Sequence, residues 1–134
     1  MRKTAKHLPD TNVVLRYLLR DIPEQYELAE RFFETVWLAE ETAVILESVL
    51  VECVYILTKF YKIPKAETAA ILTGLLRYKG IVNQDKVSLI EALETFARLK
   101  LDIVDCILIS KAKAGNLKIF SFDKALKQQE VKLE

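Results

Sequence analysis

Four carboxylates occupy positions from which chemistry could be done. Asp10 stands between Pro9 and Thr11-Asn12, Glu52 interrupts the apolar run VLVECVYIL (residues 49–57), Asp105 lies inside LDIVDCILIS (101–110), and Asp123 follows FSF. A glutamate carried into an apolar run costs several kcal/mol to bury unless it is paired, protonated or bound to a cation. No helix cap calls for Glu52, so a salt bridge to a core Arg or Lys is the structural alternative. Asp10 and Asp123 could each serve as N-caps, and Asp105 could complement a helix dipole. If the four acids gather within about 5 Å, they repel by about 3 kcal/mol per pair at an effective dielectric near ~20. A divalent cation relieves that repulsion. Oxygen ligands without His or Cys select Mg²⁺ or Mn²⁺ over Zn²⁺, and a hard ion among carboxylates suits phosphodiester hydrolysis, because it generates hydroxide and neutralises charge on the phosphorane.

The elements that must position these acids are mostly helical. Apolar residues Leu28, Phe32 and Val36 recur at helical spacing through residues 23–41, with Pro23 and Glu24 suited to a first turn. ESVLVECVYILTKFY (47–61) is too long for a strand and reads as a largely buried helix capped by Ser48. KAETAAILTGLLRYKG (65–80) reads as a helix ending at Gly80 in a left-handed position. Ser88 with Glu91 forms a capping box for residues 88–100, Asp102 caps a helix running to Gly115 and Asn116, and a short helix begins at Asp123. Between them lie candidate strands: a poor one at residues 4–9, TAVIL (42–46), IVN (81–83), LKIFSF (117–122) and an edge strand at VKL (131–133). Strands separated by helices call for right-handed crossovers, and so for a three-layer α/β/α domain with a mostly parallel central sheet of four to five strands. In such sheets sites form beyond the carboxyl ends of the strands. Asp10 and Asp123 both fall there.

At 134 residues, 51% hydrophobic and 29% charged with three Gly and three Pro, the chain is expected to fold as one ordered domain spanning residues 1–134. Its apolar runs fall short of the roughly 18 residues a membrane span needs, and MRKTAKHLPD lacks a signal-peptide core, so a cytoplasmic protein without membrane attachment is expected. Cys53 and Cys106 sit in apolar runs without zinc spacing and read as buried hydrophobes. The net charge of +1 is uneven: residues 21–58 carry nine acidic and one basic side chain, residues 59–100 eight basic and four acidic. Local basic patches are therefore compatible with a neutral whole. Arg16, Arg20 and the C-terminal lysines are candidates to meet a polyanion. No P-loop or GxGxxG is present, and no histidine is placed for serine or cysteine hydrolase chemistry. A phospho-receiver would want paired acids after its first strand and a lysine after its last.

In order along the chain, PDTNVVLRYLL resembles the N-terminal DTN motif of PIN-domain nucleases, VLVECVYIL their second acidic segment, LDIVDCILIS their third and FSFDKAL their fourth. Size and hydrophobic pattern resemble the VapC-type toxin ribonucleases of type II toxin–antitoxin pairs. The resemblance implies an endoribonuclease using Mg²⁺ or Mn²⁺ held by Asp10, Glu52, Asp105 and Asp123. Thr11, Asn12 and Ser121 would orient the acids or bind water, with Asp102 as a fifth acid. It further implies an RNA substrate, an antitoxin partner and a homodimer. One departure stands out: family members lead into DTN with a clean apolar strand, whereas here AKHLP places Pro9 before Asp10. That motivates an alternative, a PIN fold with an impaired site serving as a binding or scaffold module. His7, near this segment, invites a general-base reading, though a lone surface histidine is common.

Overall fold

A computed structural model describes residues 4–133, with side chains through residue 128. Seven α-helices are seen among them: α1 (Thr11–Leu19), α2 (Pro23–Trp37), α3 (Glu47–Tyr55), α4 (Lys65–Leu76), α5 (Lys86–Arg98), α6 (Ile103–Gly115) and α7 (Lys124–Leu133). A single π-helical turn, Ile56–Phe60, continues α3. Helix α1 packs on α2 and α3, and α5 packs between α4 and α6. Their apolar stripes meet in one core built on Phe33, Leu50, Leu57, Leu72, Leu76, Leu89, Leu93 and Ile103. Each such side chain, fully removed from water, contributes about 1.5–3 kcal/mol.

The helix ends follow the chain's local chemistry. Pro23 opens α2 with Glu24 in its first turn, and α6 ends on Asn116 in a left-handed conformation, φ 53°. Two expected caps are displaced. Helix α3 begins at Glu47 after an extended Leu46, so Ser48 lies within its first turn. Helix α5 starts two residues before Ser88, after Asp85. The hydroxyl of Ser110, across on α6, donates to the Ser88 carbonyl at 2.7 Å.

The expected three-layer α/β/α architecture with a central parallel sheet is not formed: no strand occurs among the described residues. What remains of parallel pairing is two isolated bridges, His7 with Ala43 and Ala43 with Ile81. The physical reason lies in the residues flanking them. The Val44 amide donates to the His7 carbonyl at 3.1 Å, but the next rung of a parallel ladder needs an amide on residue 9, and Pro9 has none. On the other side the Val82 amide donates to Ala43 at 2.9 Å. There the Asn83 side chain takes over the next rung, accepting from the Ile45 amide at 2.9 Å and donating to the Ile45 carbonyl at 2.7 Å. A side-chain amide satisfies the buried backbone of Ile45 but passes no register to a further residue. Residues 117–122 lie outside any ladder, with Phe120 and Phe122 exposed, and residues 131–133 belong to α7 rather than to an edge strand.

Gly80 is required for closeness, not for handedness, since no glycine here has positive φ. A Cβ at this position would stand 2.3 Å from the Glu41 carbonyl oxygen and 2.5 Å from that of Val36. Both obstacles are backbone and cannot swing aside. Gly80→Ala should therefore lower unfolding free energy by about 3 kcal/mol, the upper range for overpacking. Chemical denaturation measures it, and a loss below 1 kcal/mol, on the order of a surface change, would show that the loop yields.

Candidate acidic site

Helix starts position most of the acids. Asp10 is the N-cap of α1, extended at φ −84°, and its Oδ1 accepts from the Val13 amide at 2.9 Å. The buried Pro9 ring therefore leaves Asp10 solvent-exposed at a helix N-terminus. Asp102 is the N-cap residue of α6 but makes no side-chain cap hydrogen bond, so capping does not consume its carboxylate. Asp105 occupies the first turn of the same helix. Asp123 precedes α7, accepting from the amides of Ala125 at 2.9 Å and Leu126 at 3.3 Å, while its own amide donates to Ser121 Oγ at 3.0 Å.

Glu52 departs from its expected surroundings. It is exposed on α3, while Cys53 and Val54 beside it are buried. The helix is apolar on the face it turns to the core, and Glu52 lies on the other. Its cost of burial, the premise that singled it out, does not arise. The salt bridge to a core cation does not arise either: the ion pairs among the described residues involve Glu27, Glu41, Glu47, Asp21 and Asp85, and none engages Asp10, Glu52, Asp102, Asp105 or Asp123.

Asp102 and Asp123 are each brought within electrostatic range of Asp105. Burial, and after it the negative charges of Asp102 and Asp123, push the Asp105 carboxyl above its ordinary range. This is like-charge crowding without a basic side chain to relieve it. In kind and charge, all-oxygen donors with that repulsion fit a hard divalent cation. In position they are not drawn into a cage, since no three Asp, Glu, His or Cys side chains among the described residues stand together as a metal-binding group.

The remaining candidates fall around this frame. Thr11 is half-buried, and Asn12 is exposed beside Asp10 in a groove of about 520 Å³ between α1 and α2, walled by Leu8, Val13, Leu28 and Phe32. His7 Nδ1 lies 3.1 Å from the Thr42 carbonyl and 3.7 Å from Glu41, ties that belong to the bridged segments rather than to the acids. Arg16 pairs with Asp21 at 3.1 Å, and Arg20 lies over the Tyr26 ring at 5.2 Å. Of the C-terminal lysines, the side chain of Lys132 lies outside the described residues. Cys53 and Cys106 are buried free thiols. Burial pushes them up to about 12 and about 11, which keeps both protonated and inert at neutral pH.

The PIN domain family model matches residues 8–132. The chain belongs to the PIN domain family. The match runs from just before Asp10 to beyond Asp123, so Asp10, Glu52, Asp105 and Asp123 all fall inside it. A curated relative, the VapC ribonuclease of Aquifex aeolicus (strain VF5), is 28% identical over 122 residues, covering 90% of this chain and 90% of that protein. No solved structure matches. The PIN family is α/β, whereas among the described residues His7, Ala43 and Ile81 form only isolated bridges. No helix among the described residues is long and apolar enough to cross a membrane.

Proposed function

We propose that the protein is a divalent-metal-dependent endoribonuclease, the toxin of a toxin–antitoxin pair, working as a homodimer in the cytoplasm. The observation that carries this reading is a PIN domain over residues 8–132 whose similarity to a VapC ribonuclease extends over 90% of both chains; it is supported by Asp105, half-buried and facing the charges of Asp102 and Asp123. Asp10, Glu52, Asp105 and Asp123 would hold Mg²⁺ or Mn²⁺. Such an ion supplies hydroxide at neutral pH and neutralises charge on the phosphorane and the leaving oxygen.

The chain's own residues do the rest. Ser121 fixes the Asp123 backbone, the α7 amides orient the Asp123 carboxylate, and Val13 fixes one oxygen of Asp10, leaving the other free. Thr11, Asn12 and Asp102 stand beside these acids to hold water. An antitoxin segment with an apolar face would lie in the α1/α2 groove and cover Asp10.

Glu52 gives the cleanest single test. Being exposed and outside any ion pair, Glu52→Gln should leave the melting temperature within about 1 °C, the scale of a neutral surface change. It should nevertheless weaken Mn²⁺ affinity by about tenfold or more, as loss of one ligating charge requires. Unchanged Mn²⁺ affinity, read by calorimetry, removes Glu52 from the site. A second reading, a PIN domain with an impaired site kept as a binding or scaffold module, is motivated by Pro9, whose missing amide ends the ladder directly before Asp10. Such a module need not bind Mn²⁺.

A further inference from the structure

A second cleft, of about 330 Å³, lies between the π-helical turn and the start of α6. Tyr55, Lys59, Lys62, Lys65, Phe96 and Asp102 contribute to its walls. It touches the acids from two directions. Asp102 belongs both to this wall and to the carboxylates crowding Asp105. On the other side Glu52, Tyr55 and Lys59, at helical spacing of three and four, are all exposed along one face of α3 and its continuation.

Its three lysines are not equivalent. Lys65 is committed to the fold: Nζ donates to the carbonyls of Leu99 at 2.8 Å and Leu101 at 3.1 Å and lies 4.2 Å from the centre of the Phe96 ring. The side chains of Lys59 and Lys62 are exposed and enter none of the ion pairs or side-chain hydrogen bonds found among the described residues. Lys62 holds a left-handed backbone, φ 58°, because it ends the helix just past Tyr61, with the Ile63 amide donating to the Leu57 carbonyl at 2.9 Å. The π turn before it is an irregularity found often where a helix serves a site. Two free cations beside an aromatic ring are the combination that holds single-stranded nucleic acid, with phosphates on the ammonium groups and a base against the ring.

We infer that this cleft seats one nucleotide of the RNA strand next to the bond being cut, its phosphate on Lys59 and Lys62 and its base against Tyr55. The inference rests on the ribonuclease reading, and it goes further by assigning the strand's path to α3 and its π turn, away from Arg16 and Arg20, which are already engaged.

The test is fluorescence anisotropy of a short single-stranded RNA with the full chain in chelator, where the lysines still act and cleavage is off. The double variant Lys59→Ala/Lys62→Ala should bind about tenfold more weakly, and its affinity should fall less steeply with salt, by about 0.7 in log–log slope per lysine removed. Tyr55→Leu should weaken binding by about tenfold with the salt slope intact. Lys79→Ala, beyond the opposite end of α4, should change neither. Wild-type affinity and slope in the double variant would overturn the inference, as would a wild-type chain that cleaves RNA yet shows no binding in chelator. A wild-type chain that neither binds nor cleaves RNA in the presence of Mn²⁺ would overturn the ribonuclease reading itself.

Discussion

Asp105→Asn is expected to abolish RNA cleavage, by about 10³-fold, while raising the melting temperature at neutral pH. The two effects have one origin. The Asp105 carboxyl titrates above its ordinary value of 3.8 because it is partly buried and faces Asp102 and Asp123. A raised carboxyl means that the folded state holds the proton more tightly than the unfolded chain does. Its contribution to stability is full below the unfolded value and is lost as pH rises through the folded one. At neutral pH wild type therefore carries an ionised, crowded carboxylate that Asn, uncharged and nearly isosteric, relieves. The advantage of Asn should shrink as pH falls toward 4 and vanish below. Loss of cleavage follows if Asp105 holds an ion contributing about 4 kcal/mol of charge stabilisation in the transition state, since each 1.36 kcal/mol is tenfold. Melting curves across pH and cleavage rates check the two halves separately. A variant that is less stable at every pH would give Asp105 a structural role, and a more stable variant that cleaves normally would remove it from the site.

The second large effect is stabilisation by the ion itself. An ion that binds the folded chain alone, at 100 times its dissociation constant, adds about 2.7 kcal/mol. For a chain of this size that is a rise of about 10 °C in melting temperature. Mn²⁺ should produce it, chelator should reverse it, and Asp105→Asn should nearly erase it, because the repulsion that the ion relieves has already been removed. A shift of equal size in that variant would place the ion elsewhere.

The helices were legible in the sequence because their signals are local. Pro23 with Glu24 and Asn116 at a C-terminus each act within one turn and fold as read, and α6 starts after Asp102 as read although the Asp102 side chain makes no cap hydrogen bond. The sheet was only partly legible: Pro9 already marked the first strand as poor, but the other short apolar segments suggest strands without revealing where a ladder fails. That failure rests on two single residues, Pro9 without its amide and Asn83 with a side chain that replaces a backbone rung. Glu52 was found for a reason that does not hold. An apolar run read along the chain implied burial, whereas the helix turns that residue to solvent. The same exposed face of α3 and its π continuation carries Tyr55 and Lys59. That signal was present at spacings of three and four and pointed to the cleft that Arg16 and Arg20 do not line.

The central claim is that these dispersed acids work together through one hard ion to cut RNA. Its most direct test is cleavage of single-stranded RNA by the purified chain alone, beside the double variant Asp10→Asn/Asp105→Asn, with Mn²⁺ and with chelator. The account predicts cutting only by wild type and only with the ion. Equal cutting by the double variant, or cutting by wild type that chelator leaves untouched, would contradict it.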